Sequence, residues 1–258
     1  MSHDATHVLV EQRGHILRVA LNRADKKNAL THGMYTAMSD AIARLESEPG
    51  LRVLFLTGTA DCFTSGNDMV DFMNNPPQSA DSPVSRFLNA IRTAKKPIVA
   101  AVNGPAVGVG TTMLLHFDLV YAGNGAKFQM PFVSLGLCPE GGSSLLLPLL
   151  VGHRRAAELL MLGSAFGAAE ALQYGLVNAV FDDADCQTQA WSKAEQLAAQ
   201  PPASVRLAKQ QMRAAFPQLG EVMAAEGAAF MARLKSPEAM EAVGAFLQKR
   251  KPDFSRFE

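Results

Sequence analysis

Pro97-Ile98-Val99-Ala100-Ala101-Val102-Asn103-Gly104-Pro105-Ala106-Val107-Gly108-Val109-Gly110 decides how the chain is read. Its first six residues are an unbroken apolar run, as a strand buried on both faces requires. Asn103-Gly104-Pro105 ends the run, and a segment bracketed by Gly108 and Gly110 opens what reads as a helix over 110–117. The first N–H groups of a helix have no internal partner and sit at the positive end of its dipole. Glycines there let a ligand approach the backbone, and a negatively charged oxygen suits the position. The same glycines serve equally well to pack a helix on a sheet, and the pattern alone does not separate the two roles.

Working outward, 8–12 and 16–21 flank Arg13-Gly14-His15 as a predicted hairpin, and 22–28 is a polar loop with Lys26 and Lys27 adjacent. Met34, Met38, Ile42 and Leu45 mark one face of a helix over 31–48, closed by Pro49-Gly50. A buried strand over 52–57 follows. The stretch 73–83, rich in Asn, Pro, Ser and Asp, reads as a surface loop, and 84–94 as a helix. Downstream, 119–122 and 127–129 are short strands, a helix begins near Gly141 and runs past Pro148, 154–162 and 168–174 are helices, and 177–181 is a strand. From Asp185 onward the chain reads as helix, punctuated by Pro201-Pro202, Pro217 and Pro237, with Ser236 as an N-cap. The class is therefore α/β with a helical C-terminal part. The alternation is too irregular for a TIM barrel, and the Rossmann glycine fingerprint is missing after the first strand.

The 258 residues are 48% hydrophobic, enough for one sizeable core. Lys+Arg and Asp+Glu both total 24, so no basic excess points to nucleic acid. Cys62, Cys138 and Cys186 are too scattered for a disulfide framework or a zinc site, and the six histidines show no metal-ligand spacing. Residues 1–7 lack the basic and apolar regions of a secretory signal, and no apolar run reaches the ~18 residues of a membrane span.

Chemistry concentrates in Cys138-Pro139-Glu140-Gly141-Gly142-Ser143-Ser144. Glu140 is a lone carboxylate among Leu135, Leu137 and 145–147, and burial there would raise its pKa toward that of a useful base. Phe63-Thr64-Ser65-Gly66-Asn67-Asp68 reads either as a second set of exposed backbone donors or as an ordinary turn in which Asp68 caps the next helix. Together with 103–110 it would complete a two-donor oxyanion hole. One carboxylate beside an anion hole is suited to moving a proton and poorly suited to adding water. Ser65, Ser143 and Ser144 lie in no G-x-S-x-G elbow, which argues against a serine hydrolase. His116 reads as a packed helix residue, and Lys249-Arg250-Lys251 as a solvated terminus or a phosphate contact.

Asn22-Arg23, Asn28-Ala29-Leu30, 63–68, 97–104, Phe117-Asp118-Leu119-Val120-Tyr121-Ala122, Leu135-Gly136, Ala169-Glu170-Ala171 and Gly175-Leu176-Val177 together resemble the crotonase, or enoyl-CoA hydratase/isomerase, superfamily along nearly the whole chain. The resemblance implies a ClpP-like spiral of strand-strand-helix units over 1–200 and a helical oligomerisation region over 201–258, assembled as a homotrimer or a hexamer. It implies an acyl-CoA thioester as substrate, coenzyme A arriving as part of it, and no other cofactor, metal, nucleic acid or membrane partner. The enolate oxygen would sit on the N–H groups of Asn67 and Val109. Coenzyme A would pass Lys27, Ala29 and Leu30, then Ser65, Gly66, Asn67, Asp68 and Met69, with Val107, Gly108, Thr112 and Phe132 around the acyl group and Lys249, of this subunit or a neighbour, on a phosphate.

Thr112 and Phe132 stand where hydratases of the superfamily carry two glutamates, and neither takes a proton at neutral pH. The pattern around Pro139-Glu140 resembles instead the peroxisomal-type Δ3,Δ2-enoyl-CoA isomerases, which implies Glu140 as single base in the β-oxidation of unsaturated fatty acids. Other crotonase-type reactions (hydration or dienoyl-CoA isomerisation) and a non-catalytic acyl-CoA-binding role are the alternatives. The chain begins without an acyl-CoA-binding domain and ends Phe254-Ser255-Arg256-Phe257-Glu258, which is no peroxisomal address, so a cytoplasmic location is expected.

Overall fold

The computed structural model describes residues 7–59, 61–76, 79 and 81–257. Most of the leader reading (1–6), three positions of the 73–83 stretch (77, 78 and 80) and Glu258 lie outside them.

The hairpin forms as β1 (Val8–Arg13) and β2 (Ile16–Leu21), followed by α1 (His32–Ser47), whose N-cap Thr31 accepts from the Met34 amide. Then come β3 (Val53–Thr57), α2 (Met69–Asn74), α3 (Pro83–Thr93), β4 (Ile98–Val102) and β5 (Pro105–Val107). A short α4 (Val109–Thr112) tightens into a 3-10 turn at Met113–His116, before β6 (Leu119–Gly123) and β7 (Lys127–Gln129). After another 3-10 turn at Val133–Leu135 follow α5 (Ser143–Val151), α6 (His153–Met161), β8 (Phe166–Gly167), α7 (Ala168–Gln173) and β9 (Ala179–Phe181). Helices α8 (Asp183–Ala198), α9 (Pro202–Arg213), α10 (Leu219–Arg233) and α11 (Pro237–Leu247) complete the chain. Among the described residues no helix is long and apolar enough to cross a membrane.

Six strands form one sheet in the order β1-β2-β3-β4-β6-β9, parallel except for the hairpin. A second sheet, β5-β7-β8, runs beside it. The chain hands a strand to each sheet in turn, β4 then β5, β6 then β7, and so winds as a spiral. The apolar run of β4 is explained by burial on both faces. Ile98, Ala100 and Val102 join the core under α1 and α3, while Val99 and Ala101 face α8. Cys186, Ala190, Ala194 and Ala198 recur every four residues on the buried face of α8, so small side chains let that helix lie close to the sheet.

Several boundaries move, each for a local reason. Met73 and Asn74 belong to α2, because Asp68 caps that helix through the Val70 and Asp71 amides, and Pro83 opens α3 on its N-cap Ser82. The helix near Gly141 starts only at Ser143, since Gly141 and Gly142 are left-handed (φ +67° and +78°). Residues 177 and 178 fall outside β9: the Leu176 and Val177 amides turn back to the Ala171 carbonyl and that of Asn178 bonds Val120. Helix α8 begins at Asp183 rather than Asp185.

The polar loop before α1 is held by Asn28, fully buried and left-handed (φ 53°). Its Nδ2 donates to the carbonyls of Cys62 (2.9 Å) and Phe63 (3.1 Å), and its Oδ1 accepts from the Arg23 amide (2.7 Å). The C-terminal helices are tied down just as firmly. Lys209 of α9 donates to Asp118 (2.6 Å) and the Lys96 carbonyl (2.8 Å), and burial pulls its pKa down to about 8. Arg213 donates to the carbonyls of Ile91, Arg92, Ala94 and His116. Asn28→Ala strips partners from buried carbonyls and leaves a β-carbon residue without polar compensation in left-handed backbone, so urea denaturation should show a loss of about 2–3 kcal/mol.

Candidate active site

Among the described residues, the loops after β3 and β5 each leave a backbone amide without a partner where the two loops meet. Leu30 forms a parallel bridge with Asn67: its amide bonds the Gly66 carbonyl (2.8 Å) and its carbonyl takes the Asp68 amide (2.9 Å). In such a bridge the intervening residue points its N–H away, and the Asn67 N–H has no partner among the described residues. Gly108 takes φ +58° and ψ −121°, a conformation open to glycine, and its own amide bonds Gln129. The chain then turns into α4, whose first N–H, that of Val109, also has no partner among the described residues. The two loops touch, since a β-carbon on Gly66 would lie 2.8 Å from the Val107 carbonyl oxygen. The Asn67 side chain is held from behind: its Oδ1 accepts from the buried Tyr35 hydroxyl at 2.5 Å.

Glu140 is 8% exposed. Thr112 Oγ1 donates to its Oε1, and its Oε2 has no hydrogen-bond partner among the described residues. Burial pushes the carboxyl pKa up to about 7, against the pull of the Thr112 hydroxyl and with a further push from the charge of Glu226. The turn around it is pinned from three sides. Ser143 donates to the Glu140 carbonyl through Oγ (2.6 Å) and its amide (3.2 Å), and His116 Nε2 bonds the Gly141 carbonyl (2.6 Å). Glu226 of α10 accepts from the amides of Gly142 (2.5 Å) and Ser144 (2.9 Å). Burial pulls His116 down to about 4, so at neutral pH it is uncharged and donates to that carbonyl.

A two-lobed cavity runs past these groups, with lobes of about 860 and 700 Å³. Asn67, Val109, Phe72, Phe132, Phe230 and Met231 line both lobes and therefore mark their junction. The rings of Phe72 and Phe132 each meet Phe230 edge to face, at 6.2 and 6.3 Å, which makes the junction apolar. Glu140 lines the second lobe, between α3 and α10. Gly66, Met69, Val107 and Gly108 line the first, together with residues of α10 and α11.

The structure thus brings Glu140, Asn67, Val109, Gly66, Met69, Val107, Gly108 and Phe132 to one cavity wall. Leu30 and Thr112 are buried behind it, supporting Asn67 and Glu140 respectively. Asp68 caps α2 and pairs with Arg23 (2.7 Å), the ordinary-turn reading of that side chain. Lys27, Ala29 and Ser65 line neither lobe, and Lys249 is exposed past the end of α11. Sequence reasoning missed Tyr35, Phe72, Phe230, Met231 and Glu226. Only the last carried a signal, an acid alone among small residues in Met223-Ala224-Ala225-Glu226-Gly227-Ala228-Ala229. His116 is the packed residue its position suggested. No group of three or more potential ligands for a metal ion occurs among the described residues.

Over residues 11–256 the chain matches the enoyl-CoA hydratase/isomerase family. It is 35% identical to enoyl-CoA delta isomerase 2 of Rattus norvegicus across 94% of this chain, and spans 64% of that protein's length. It is 34% identical to 1,2-epoxyphenylacetyl-CoA isomerase of Escherichia coli strain K12, across 93% of this chain and 95% of that protein. The structure of Pseudomonas aeruginosa OdaA, 48% identical, superposes with a TM-score of 0.91 over 93% of this chain and 98% of the other.

The raised Glu140 pKa has a stability signature. The neutral carboxyl is favoured in the folded state, so its contribution is complete below about 4.5 and is lost as pH rises through about 7. Glu140→Gln should therefore be more stable than the parent protein at pH 8, with the advantage vanishing at pH 4.5, as read from thermal unfolding at both values.

Proposed function

Since the chain belongs to the enoyl-CoA hydratase/isomerase family and has the crotonase fold, we propose that it moves the double bond of a 3-enoyl-CoA to the 2-trans position with Glu140 as its single base. The observation that carries this reading is one buried, ionisable carboxylate on the same cavity as two unpartnered amides. Members of this family act on acyl-CoA thioesters. The thioester carbonyl would lie at the junction, on the N–H groups of Asn67 and Val109. Coenzyme A would then extend through the first lobe and the acyl tail into the second, because the donors line both lobes while Glu140 lines the second.

The α-proton of a 3-enoyl thioester is acidified by both the carbonyl and the double bond. Glu140 Oε2, the oxygen Thr112 does not occupy, takes that proton from C2. The electron pair delocalises through the dienolate onto the carbonyl oxygen, where the two amides stabilise the charge. The same carboxyl returns the proton to C4, the pair moves back, and the conjugated 2-enoyl thioester results. Three aromatic rings at the junction keep water from the product. Hydration would want a second acid. Glu226 is engaged by two amides and lines neither lobe, and Asp81, which does line the second, is exposed at its rim. The mechanism draws on no metal or redox cofactor, and β-oxidation of unsaturated fatty acids is the setting that uses this step.

We also propose a trimer. Leu149 on α5, Met161 at the end of α6 and Leu162 just past it are 59–69% exposed, an apolar surface suited to a second copy. Light scattering should give three times the 27.6 kDa chain mass, or six times for paired trimers, and a monomer would refute it.

Ultraviolet detection of conjugated product from a 3-enoyl-CoA should show turnover that falls by about 10²–10⁴-fold in Glu140→Gln with binding retained. In the parent protein kcat/KM should climb as pH rises through about 7, where Glu140 ionises. Strong hydration of a 2-enoyl-CoA in a parallel assay would sink the single-base reading.

A further inference from the structure

Glu226 is 8% exposed in the middle of α10, and no Lys, Arg or His side chain pairs with it among the described residues. A buried carboxylate without a counter-ion is costly unless several hydrogen bonds replace its water. Here both oxygens are satisfied by amides from a segment more than eighty residues away, Gly142 at 2.5 Å and Ser144 at 2.9 Å. Those amides open α5, whose N-cap Gly142 has no side chain to accept them. Glu226 is thus an N-cap delivered from another helix, and its negative charge sits at the favourable end of α5.

The segment it caps is the one that aims the base. Gly141 and Gly142 are both left-handed, and glycine backbone is the least restrained of any residue. Without external pins the turn would have many conformations to choose from. We propose that Glu226 is a positioning residue for the reaction: its carboxylate locks the turn that aims Glu140 into the second lobe, and places a second negative charge behind that base. This rests on the reading of Glu140 as base. Glu226 lines neither lobe, so it acts through Glu140 and not on substrate.

The charge has a direction. The groups that face Glu140 are Tyr35 from α1, the Thr112 hydroxyl from α4, Cys138 from its own loop, the neutral His116 behind Gly141, and Glu226 from α10. None is a cation. A negative charge close by in a poorly solvated interior opposes the ionisation of Glu140, so Glu226 makes Glu140 hold its proton more tightly.

Two variants separate the charge from the cap. Glu226→Gln removes the charge and one good acceptor. The acid limb of its kcat/KM profile should move to lower pH while the plateau falls about 10- to 100-fold through misaim. Glu226→Asp keeps the charge but shortens the reach, so its limb should stay near that of the parent while its plateau drops. A merely structural lesion would lower rates at every pH and move no limb. Titration of the Glu140 carboxyl by 13C NMR in both variants gives the same readout without turnover. A lowered Glu140 pKa in Glu226→Gln with no isomerisation by any form would uphold the coupling of the two carboxylates and overturn the proposed reaction, and with it the positioning role. An unmoved limb and an unmoved Glu140 titration in Glu226→Gln would overturn the positioning role and leave the reaction standing.

Discussion

A parallel β-bridge uses the amide and carbonyl of one strand on every second residue of the other, and that rule sets up the rest of the site. Leu30 commits the backbone on either side of Asn67, so the Asn67 N–H has to turn the other way. The bridge can form only because Asn28 holds the preceding loop against the carbonyls of Cys62 and Phe63, and because the Asp68 side chain ends the loop by capping α2. On the far side, Gly66 lets this loop lie against Val107 and so brings it beside the turn that frees the Val109 amide. Two donors from separate strand ends meet because each loop has committed its flanking groups to a neighbouring segment, Leu30 for one and Gln129 for the other.

The carboxylate opposite them obeys a different economy. Burial raises the Glu140 pKa toward the range where a proton is both taken and released readily, and the Thr112 hydroxyl keeps the ionised form within reach. The condition that makes the group useful is therefore the one that weakens the fold as the group ionises, and the carboxyl is held by the Thr112 hydroxyl rather than by an ion pair. An ion pair at this point would lower the pKa and leave a poor base.

Much of this was legible in the chain. The double-sided burial of 97–102 follows from an apolar run too long to alternate, and α1 from its four-residue spacing. Glu140 stood out as a carboxyl among glycines and leucines. Strands β5, β7 and β8 are two or three residues long, and β8 offers no alternation by which to recognise it. Asp68 was read as a possible cap for helix α2, but the end of the helix was hidden because it runs into a stretch rich in turn-forming residues. Tyr35 lies beside the face marked by Met34, Met38, Ile42 and Leu45, and nothing local announces that its hydroxyl reaches Asn67. Phe230 gave no sign and Glu226 only that of an acid in a run of small residues, because their roles depend on where α10 docks, and docking is a property of the whole chain.

Helix α10 also gives synthesis of the protein a direction. The segment bearing the acid leaves the ribosome well before the helix that closes over it, and the bonds from Glu226 join positions 82 and 84 residues apart. Until α10 has emerged and docked, the cavity lacks Phe230 and Met231 from its wall, the Gly142 turn has no external cap, and Glu140 is left more open to water as an ordinary weak acid. The strands and both unpartnered amides precede α10 in the chain, so its docking follows the parts of the cavity it completes. What α10 and the residues after it add to the cavity wall is therefore the last part of it to be made.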